Sequence, residues 1–282
     1  MRPPGVLVAC GDPMQIQAKA HLSYQFPYPT EVLLLIEAAH SRDQKLISDT
    51  LKIWPPVDFV RKDDELTGGR GIVFTANRLV DITYEAVVER PHRITSLAGL
   101  SRTPIHALPN DALRYIRASH YCPSDRLEAF VMREFGTKQG GDNAAQILDW
   151  IGRHVDYRFG ISNTQTTGLD TFVDRAGVCR DFTHLAITLF RAAGIPARAV
   201  SAYACQIDPP DMHAVVEVFL QGSWWLVDPS GKAPIDGLVR VATGLDATDI
   251  AFMTIFGQGV LVRQSFSAQE IPGQSEVAVG RS

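Results

Sequence analysis

Residues 177–194 read GVCRDFTHLAITLFRAAG and give the strongest structural signal in the chain. Apolar residues stand at positions 182, 185, 186, 189, 190 and 193, a spacing that places them on one face of an α-helix. Gly194 and Pro196 end the pattern. Cys179 therefore lies at the start of a predicted helix, where free backbone amides and the positive end of the helix dipole favour a thiolate. Cys179 is a candidate nucleophile, with a plain buried cysteine as the alternative.

Two predicted strands downstream supply partners for this cysteine. His213 begins one strand, Asp228 ends the next, and Gln221-Gly222 forms the turn between them. A two-residue turn places Asp228 opposite Val215, one diagonal step from His213 on the same face and within reach of a hydrogen bond. An odd-length turn without a bulge would separate the two side chains. The pattern thus permits the Cys–His–acid arrangement used in acyl transfer.

The N-terminal part of the chain is predicted to be rich in β-structure. Clusters of Pro, Gly, Asp and Ser separate five predicted strands: Ile16–Phe26, Glu31–Ala39, Lys45–Trp54, Gly71–Asn77 and Leu79–Glu89. Polar and apolar residues alternate over 81–87, as in a strand with one solvated face. We expect an all-β, sandwich-like domain over residues 14–92. Pro and Gly recur throughout residues 1–13, too often for a helix or strand, and this segment is predicted to be a disordered extension.

Helical signals dominate the region that follows. A helix is predicted to start at Asn110-Asp111, and two more are predicted over Arg126–Phe135 and Asn143–Val155. After the helix at Cys179, Ala197–Ala204 is predicted to be a strand that precedes the His213 hairpin. Helices gathered before strands indicate an α+β domain over residues 93–282. The predicted fold class is therefore α+β.

Composition excludes several classes of protein. The chain has 282 residues, 45% of them hydrophobic, which excludes disorder as the dominant state. A net charge of −4 argues against a nucleic-acid-binding surface. The longest apolar run, Val32–Ile36, is too short to span a membrane. Four cysteines without a CxxC pair argue against a zinc site and favour a reducing, cytoplasmic location. No cofactor or metal is expected.

Five blocks of sequence carry a family resemblance. They are Thr166–Gly168, Gly177–Leu185, Gly194–Arg198, His213–Val218 and Trp225–Pro229. Their content, order and spacing resemble those of the bacterial transglutaminase-like cysteine peptidase family, and the likeness extends over about residues 14–266. The resemblance implies a papain-like fold for the second domain. It also implies that Cys179 is the nucleophile, His213 the general base and acid, and Asp228 the carboxylate that orients the histidine.

Two positions depart from the family pattern. Val215 stands where a tryptophan is common, and Leu245 stands where an arginine is usual. Neither change removes a group that acyl transfer needs, but both are expected to alter the shape or charge of a substrate pocket. The resemblance therefore carries little information about the substrate.

Other residues near these blocks are candidates for supporting roles. Tyr157 is a candidate oxyanion donor, although a tyrosine of the core is the simpler interpretation. Arg180 and Asp181 are candidates for site support, and charges in the first turn of a helix commonly cap it. The backbone N–H of Cys179 is the more direct oxyanion donor. His184 lies off the helical face of Cys179 and is interpreted as structural.

The sequence thus predicts a cysteine-dependent enzyme that hydrolyses peptide or carboxamide bonds through a thioester. Its expected partner is a peptide or protein with a reactive amide carbonyl. Two alternatives stay open: a protein-glutamine transglutaminase or deamidase, and an inactive transglutaminase-like binding protein. Fold alone does not choose among these outcomes. Neither the substrate nor the oligomeric state follows from the sequence.

Overall fold

The computed structural model describes residues 13–91 and 96–272. The predicted extension over residues 1–13 lies outside this part of the chain except for Pro13. The described strands are β1 (Met14–Leu34), β2 (Lys45–Trp54), β3 (Phe59–Asp63), β4 (Arg70–Arg90), β5 (Asp156–Tyr157), β6 (Ala176–Gly177), β7 (Ala197–Ala204), β8 (Met212–Leu220), β9 (Ser223–Val227), β10 (Leu238–Gly244), β11 (Met253–Phe256) and β12 (Val260–Ile271). The described α-helices are α1 (Asn110–Leu113), α2 (Glu128–Phe135), α3 (Gly140–His154), α4 (Gly168–Asp174), α5 (Cys179–Ala192) and α6 (Ala247–Ile250).

The N-terminal strands form one antiparallel sheet around the long strands β1 and β4. β12 and β2 pair with one half of this antiparallel pair, and β11 and β3 pair with the other half. The sequence predicted two shorter strands in place of β1 and two in place of β4. Each is one continuous strand with a local irregularity at the predicted break. The register of β1 shifts between Phe26 and Thr30, and Arg78 of β4 has a left-handed φ of 58°. The α+β class is confirmed, whereas this pairing does not confirm a sandwich.

The C-terminal end of the chain completes the N-terminal sheet. β11 and β12 both pair with β1, more than 200 residues away in sequence. These two strands cross the predicted division between residues 14–92 and 93–282. Local patterns cannot show such a pairing, because an edge strand looks the same whichever strand it joins.

A second, four-stranded sheet has the order β10-β7-β8-β9 and packs against α5. The helix is buried almost throughout from Asp181 to Arg191, so its surroundings fix its orientation. Gly194 ends the segment with a left-handed φ of 71°, as predicted from the sequence. The predicted start at Cys179 is confirmed. The candidate nucleophile Cys179 is thus held at the N-terminal end of α5.

Buried polar contacts connect the two sheets. Tyr203 of β7 donates a hydrogen bond to the carbonyl of Ile36 at 2.7 Å, and the guanidinium of Arg240 pairs with Glu217 at 2.6 Å and also with Asp43. Burial raises the pKa of Glu217, but the charges of Arg240 and Arg198 outweigh it and lower that pKa. One hydrophobic core also extends through both sheets. The N-terminal sheet is therefore anchored to the sheet that carries His213.

Candidate active site

The first turn of α5 holds Cys179 through a buried carboxylate. Asp181 accepts a hydrogen bond from the backbone N–H of Val178 at 2.9 Å and is fully buried. Arg180 donates to the same carboxylate at 2.9 Å and to the Asn163 carbonyl at 2.7 Å. Arg180 and Asp181 thereby fix the first turn of α5, where Cys179 lies. This matches the capping role that the sequence suggested for both residues.

Gly177 leaves space for this arrangement. A Cβ atom at that position would lie 2.5 Å from the Cβ of Asp181 and 2.8 Å from its Oδ2. Any side chain would therefore displace the carboxylate that holds the turn. Glycine at this position follows from the close approach of Asp181.

The hairpin of β8 and β9 has the predicted register. Val216 pairs with Val227, and the turn residues Gln221 and Gly222 have left-handed φ values of 50° and 76°. Such values are typical of the primed turns that join two strands with two residues. His213 consequently comes within reach of the residue that follows β9. Its Nε2 and the Oδ2 of Asp228 are 2.9 Å apart, which is the expected hydrogen bond.

Asp228 is held by several donors besides the histidine. Its Oδ1 accepts from the backbone N–H and the hydroxyl of Ser230 at 2.9 and 2.7 Å. Its Oδ2 accepts from the N–H groups of Lys232 and Ala233 at 3.0 and 2.9 Å. Burial raises the pKa of Asp228, but the bonds from His213, Ser230 and Ala233 outweigh it and lower that pKa. The carboxylate is therefore charged at neutral pH and fixed in orientation.

His213 lies between Asp228 and Cys179. Burial lowers the pKa of His213, but hydrogen bonds to Asp228 and Cys179, with the charges of both, raise it to about 9. Nε2 faces Asp228, so Nδ1 is the ring nitrogen left for Cys179. The imidazole is thus protonated at neutral pH and suited to pair with a thiolate.

Tyr157 lies beside the same cysteine. β5 pairs in parallel with β6, so Tyr157 is placed opposite Gly177, two residues before Cys179. The Tyr157 hydroxyl lies close enough to Cys179 for the backbone amide and the side chain of that residue to affect its pKa. Burial and then the negative charge of Cys179 raise the pKa of Tyr157, so the hydroxyl keeps its proton. The structure therefore places this candidate oxyanion donor beside the candidate nucleophile.

A cleft of about 670 Å³ opens next to Cys179 and His213. Arg180 of α5 and Met212 of β8 line one side, and the N-terminal sheet contributes Met253, Thr254 and Gln264. The full lining is Tyr121, Thr164, Cys179, Arg180, Ser201, Asp211, Met212, His213, Ala214, Ala247, Thr248, Ile250, Ala251, Phe252, Met253, Thr254 and Gln264. Sequence reasoning missed the contribution of β11 and β12, because no local signal identifies the partner of an edge strand.

The other described cysteines differ in environment from Cys179. Burial raises the pKa of Cys122 to about 12 and that of Cys205 to about 11. Cys10 lies outside the described residues. His184 is fully buried, burial lowers its pKa to about 4, and its Nε2 accepts from the N–H of Ala247 at 3.1 Å. Its contacts fit the structural role expected from the sequence.

In residues 13–91 and 96–272, no three His, Cys, Asp or Glu side chains are grouped to hold a metal ion. No helix in that same part of the chain is long and apolar enough to cross a membrane.

Comparison with known proteins identifies the family. The sequence profile of the transglutaminase-like superfamily matches residues 130–229. A solved structure of a candidate cysteine protease from Cytophaga hutchinsonii is 31% identical, with a TM-score of 0.88, and the match covers 94% of this chain and 93% of that one.

Two mycobacterial relatives are similar over shorter segments. An uncharacterised protein of Mycobacterium leprae is 33% identical over 114 residues, which is 36% of this chain and 39% of that protein. An uncharacterised protein of Mycobacterium tuberculosis is 32% identical over 110 residues, or 33% of this chain and 35% of that protein. The matched segments thus span less than two fifths of these relatives. The superfamily profile and the near full-length match to the Cytophaga structure together show that this chain belongs to the transglutaminase-like superfamily.

Proposed function

We propose that the protein is a cysteine hydrolase that cleaves peptide or carboxamide bonds through a thioester. The observation that carries this proposal is the connected chain of Asp228, His213 and Cys179 at the side of an open cleft. A buried carboxylate, a protonated imidazole and a cysteine at a helix start are the groups that this chemistry requires.

In the first half of the reaction, the Cys179 thiolate attacks the carbonyl carbon of the substrate. The backbone N–H of Cys179 and the hydroxyl of Tyr157 are assigned to the oxyanion, because both lie beside the attacking sulfur. His213 then donates its proton to the nitrogen of the leaving amine, and the C–N bond breaks. The acyl group is left as a thioester on Cys179.

In the second half, neutral His213 removes a proton from water, and the resulting hydroxide attacks the thioester. The carboxylic acid leaves and the thiolate–imidazolium pair is restored. Asp228 keeps Nε2 protonated and stabilises the imidazolium in both halves, without itself taking up a proton. The reaction uses these groups and water, so no cofactor enters the scheme.

Transfer to an amine instead of water would give a transglutaminase, because the same thioester serves both outcomes. Hydrolysis is favoured because the Cytophaga protein that matches nearly the whole chain is described as a candidate cysteine protease. The inactive binding protein is disfavoured by the intact bond between His213 and Asp228. A cytoplasmic location belongs to the same proposal and rests on cysteine spacing in the sequence.

The experiment is a peptide-library digest, with the products identified by mass spectrometry. A primary-amine probe added to half of the samples reports transamidation, and a mass change without chain cleavage reports deamidation. The Cys179→Ala protein is the control. We expect cleaved peptides from the native protein only; products that persist with Cys179→Ala would contradict the proposal.

A further inference from the structure

The edge of β11 borders the cleft that contains Cys179. Within residues 13–91 and 96–272, β11 pairs with β1 and with no other strand. Met253 and Thr254 both line the cleft. Because successive side chains of a strand point to opposite faces, a cleft that borders both residues runs along the strand edge. The open edge is therefore continuous with the candidate active site.

The register shows which backbone groups face this edge. Leu35, which directly follows β1, donates its N–H to the carbonyl of Phe252 at 2.8 Å, and Leu34 stands opposite Met253. Hydrogen-bonded and non-hydrogen-bonded residues alternate in an antiparallel pair. Met253 and Ile255 consequently direct their N–H and C=O groups away from β1. These groups lie along the open edge and are available to another strand.

Two further features indicate what this edge accepts. The wall around it is apolar, with Ile250, Phe252 and Met253 lining the cleft. At the end of the strand, 63% of Phe256 is exposed, so apolar surface continues beyond the cleft. Free backbone groups flanked by apolar side chains form a template for pairing with an extended chain. The edge and Cys179 border the same cleft, so a chain paired at this edge would lie beside the cysteine.

We propose that the substrate is an extended polypeptide segment that adds to the open edge of β11 as a new strand. This inference rests on the proposed function and names the substrate class for the same site. Backbone hydrogen bonds to Met253 and Ile255 supply affinity that depends little on sequence, and the apolar wall selects side chains at alternate positions. A lone carboxamide or a compact folded surface cannot form this ladder.

The test measures peptide binding without turnover. The probe is a fluorescein-labelled peptide of alternating Thr and Val around a central Ala-Ala, with Lys at each end, and binding to Cys179→Ala protein is followed by fluorescence anisotropy. A series of probes carries one backbone N-methyl group each. We expect methylation at every second residue to weaken binding roughly tenfold and the intervening positions to be neutral. Uniform effects, or no binding of any probe, would overturn the proposal.

A pair of variants tests the strand itself in the same Cys179→Ala background. Ile255→Pro removes an outward N–H and keeps the bonds to β1, whereas Ile255→Ala keeps the N–H and serves as the matched control. We expect binding to weaken roughly tenfold more in the proline variant than in the alanine variant. Equal peptide binding by the proline and alanine variants would overturn the proposal. So would a proline variant that differs only in how strongly the protein associates with itself. If the N-methyl pattern is found but the native protein cleaves nothing, the proposed hydrolysis fails and the docking strand remains.

Discussion

Replacing Asp228 with asparagine tests the electrostatics of the site. The pKa of His213 rises from an ordinary value of 6.5 to about 9, which corresponds to roughly 3 kcal/mol of preference for the imidazolium. Asp228 and Cys179 both contribute to this effect, with Asp228 the larger contributor, so loss of the carboxylate lowers the pKa of His213. An amide also permits the wrong histidine tautomer, which lowers turnover about 10⁴-fold in serine-protease triads. We expect kcat/KM to fall roughly 10²- to 10⁴-fold.

The sign of the pH effect follows from the same interaction. A raised pKa keeps His213 protonated up to about pH 9, and loss of Asp228 shifts deprotonation to lower pH. The alkaline limb of the kcat/KM profile, which reports the free enzyme, should therefore move down in Asp228→Asn. Peptide cleavage measured between about pH 5 and 10 tests this shift. Asp149→Asn on the surface of α3 is the matched control. An Asp228→Asn protein with the native rate and pH profile would refute the role assigned to the carboxylate.

Three further variants or treatments test neighbouring parts of the site. Iodoacetamide should alkylate Cys179 faster than Cys122 or Cys205, because burial raises the pKa values of the latter two to about 12 and 11; equal rates by peptide mass spectrometry would argue against a poised thiolate. Gly177→Ala should lower the free energy of unfolding by about 1–3 kcal/mol, because its Cβ lacks space; an unchanged urea midpoint would show that the turn adapts. Tyr157→Phe should lower kcat roughly 10- to 10³-fold with little change in KM, and a native kcat would remove Tyr157 from the oxyanion site.

The sequence predicted the parts of the site that depend on short-range rules. The start of α5 followed from helical spacing, and the contact between His213 and Asp228 followed from the parity of a two-residue turn. Both rules involve residues close in the chain, and their outcome does not depend on the remainder of the fold. The register of β8 and β9 and the 2.9 Å hydrogen bond confirm them.

Features that depend on distant pairing could not be predicted. The pairing of β5 with β6 involves two residues on each side, too few for a pattern, yet it brings Tyr157 to Cys179. β11 and β12 join β1 across most of the chain and form one wall of the cleft. The break predicted between Phe26 and Glu31 is wrong. The strand β1 continues through the register shift next to Pro27, where a proline is tolerated.

The most direct test of the central claim is the intact mass of the protein during turnover. A peptide ester is mixed with the enzyme, the reaction is stopped in acid, and the adduct is located by digestion. The thioester scheme predicts an added acyl mass on Cys179 that disappears as substrate is exhausted and is absent from Cys179→Ala. Turnover without an adduct on Cys179, or with an adduct on another residue, would contradict the scheme.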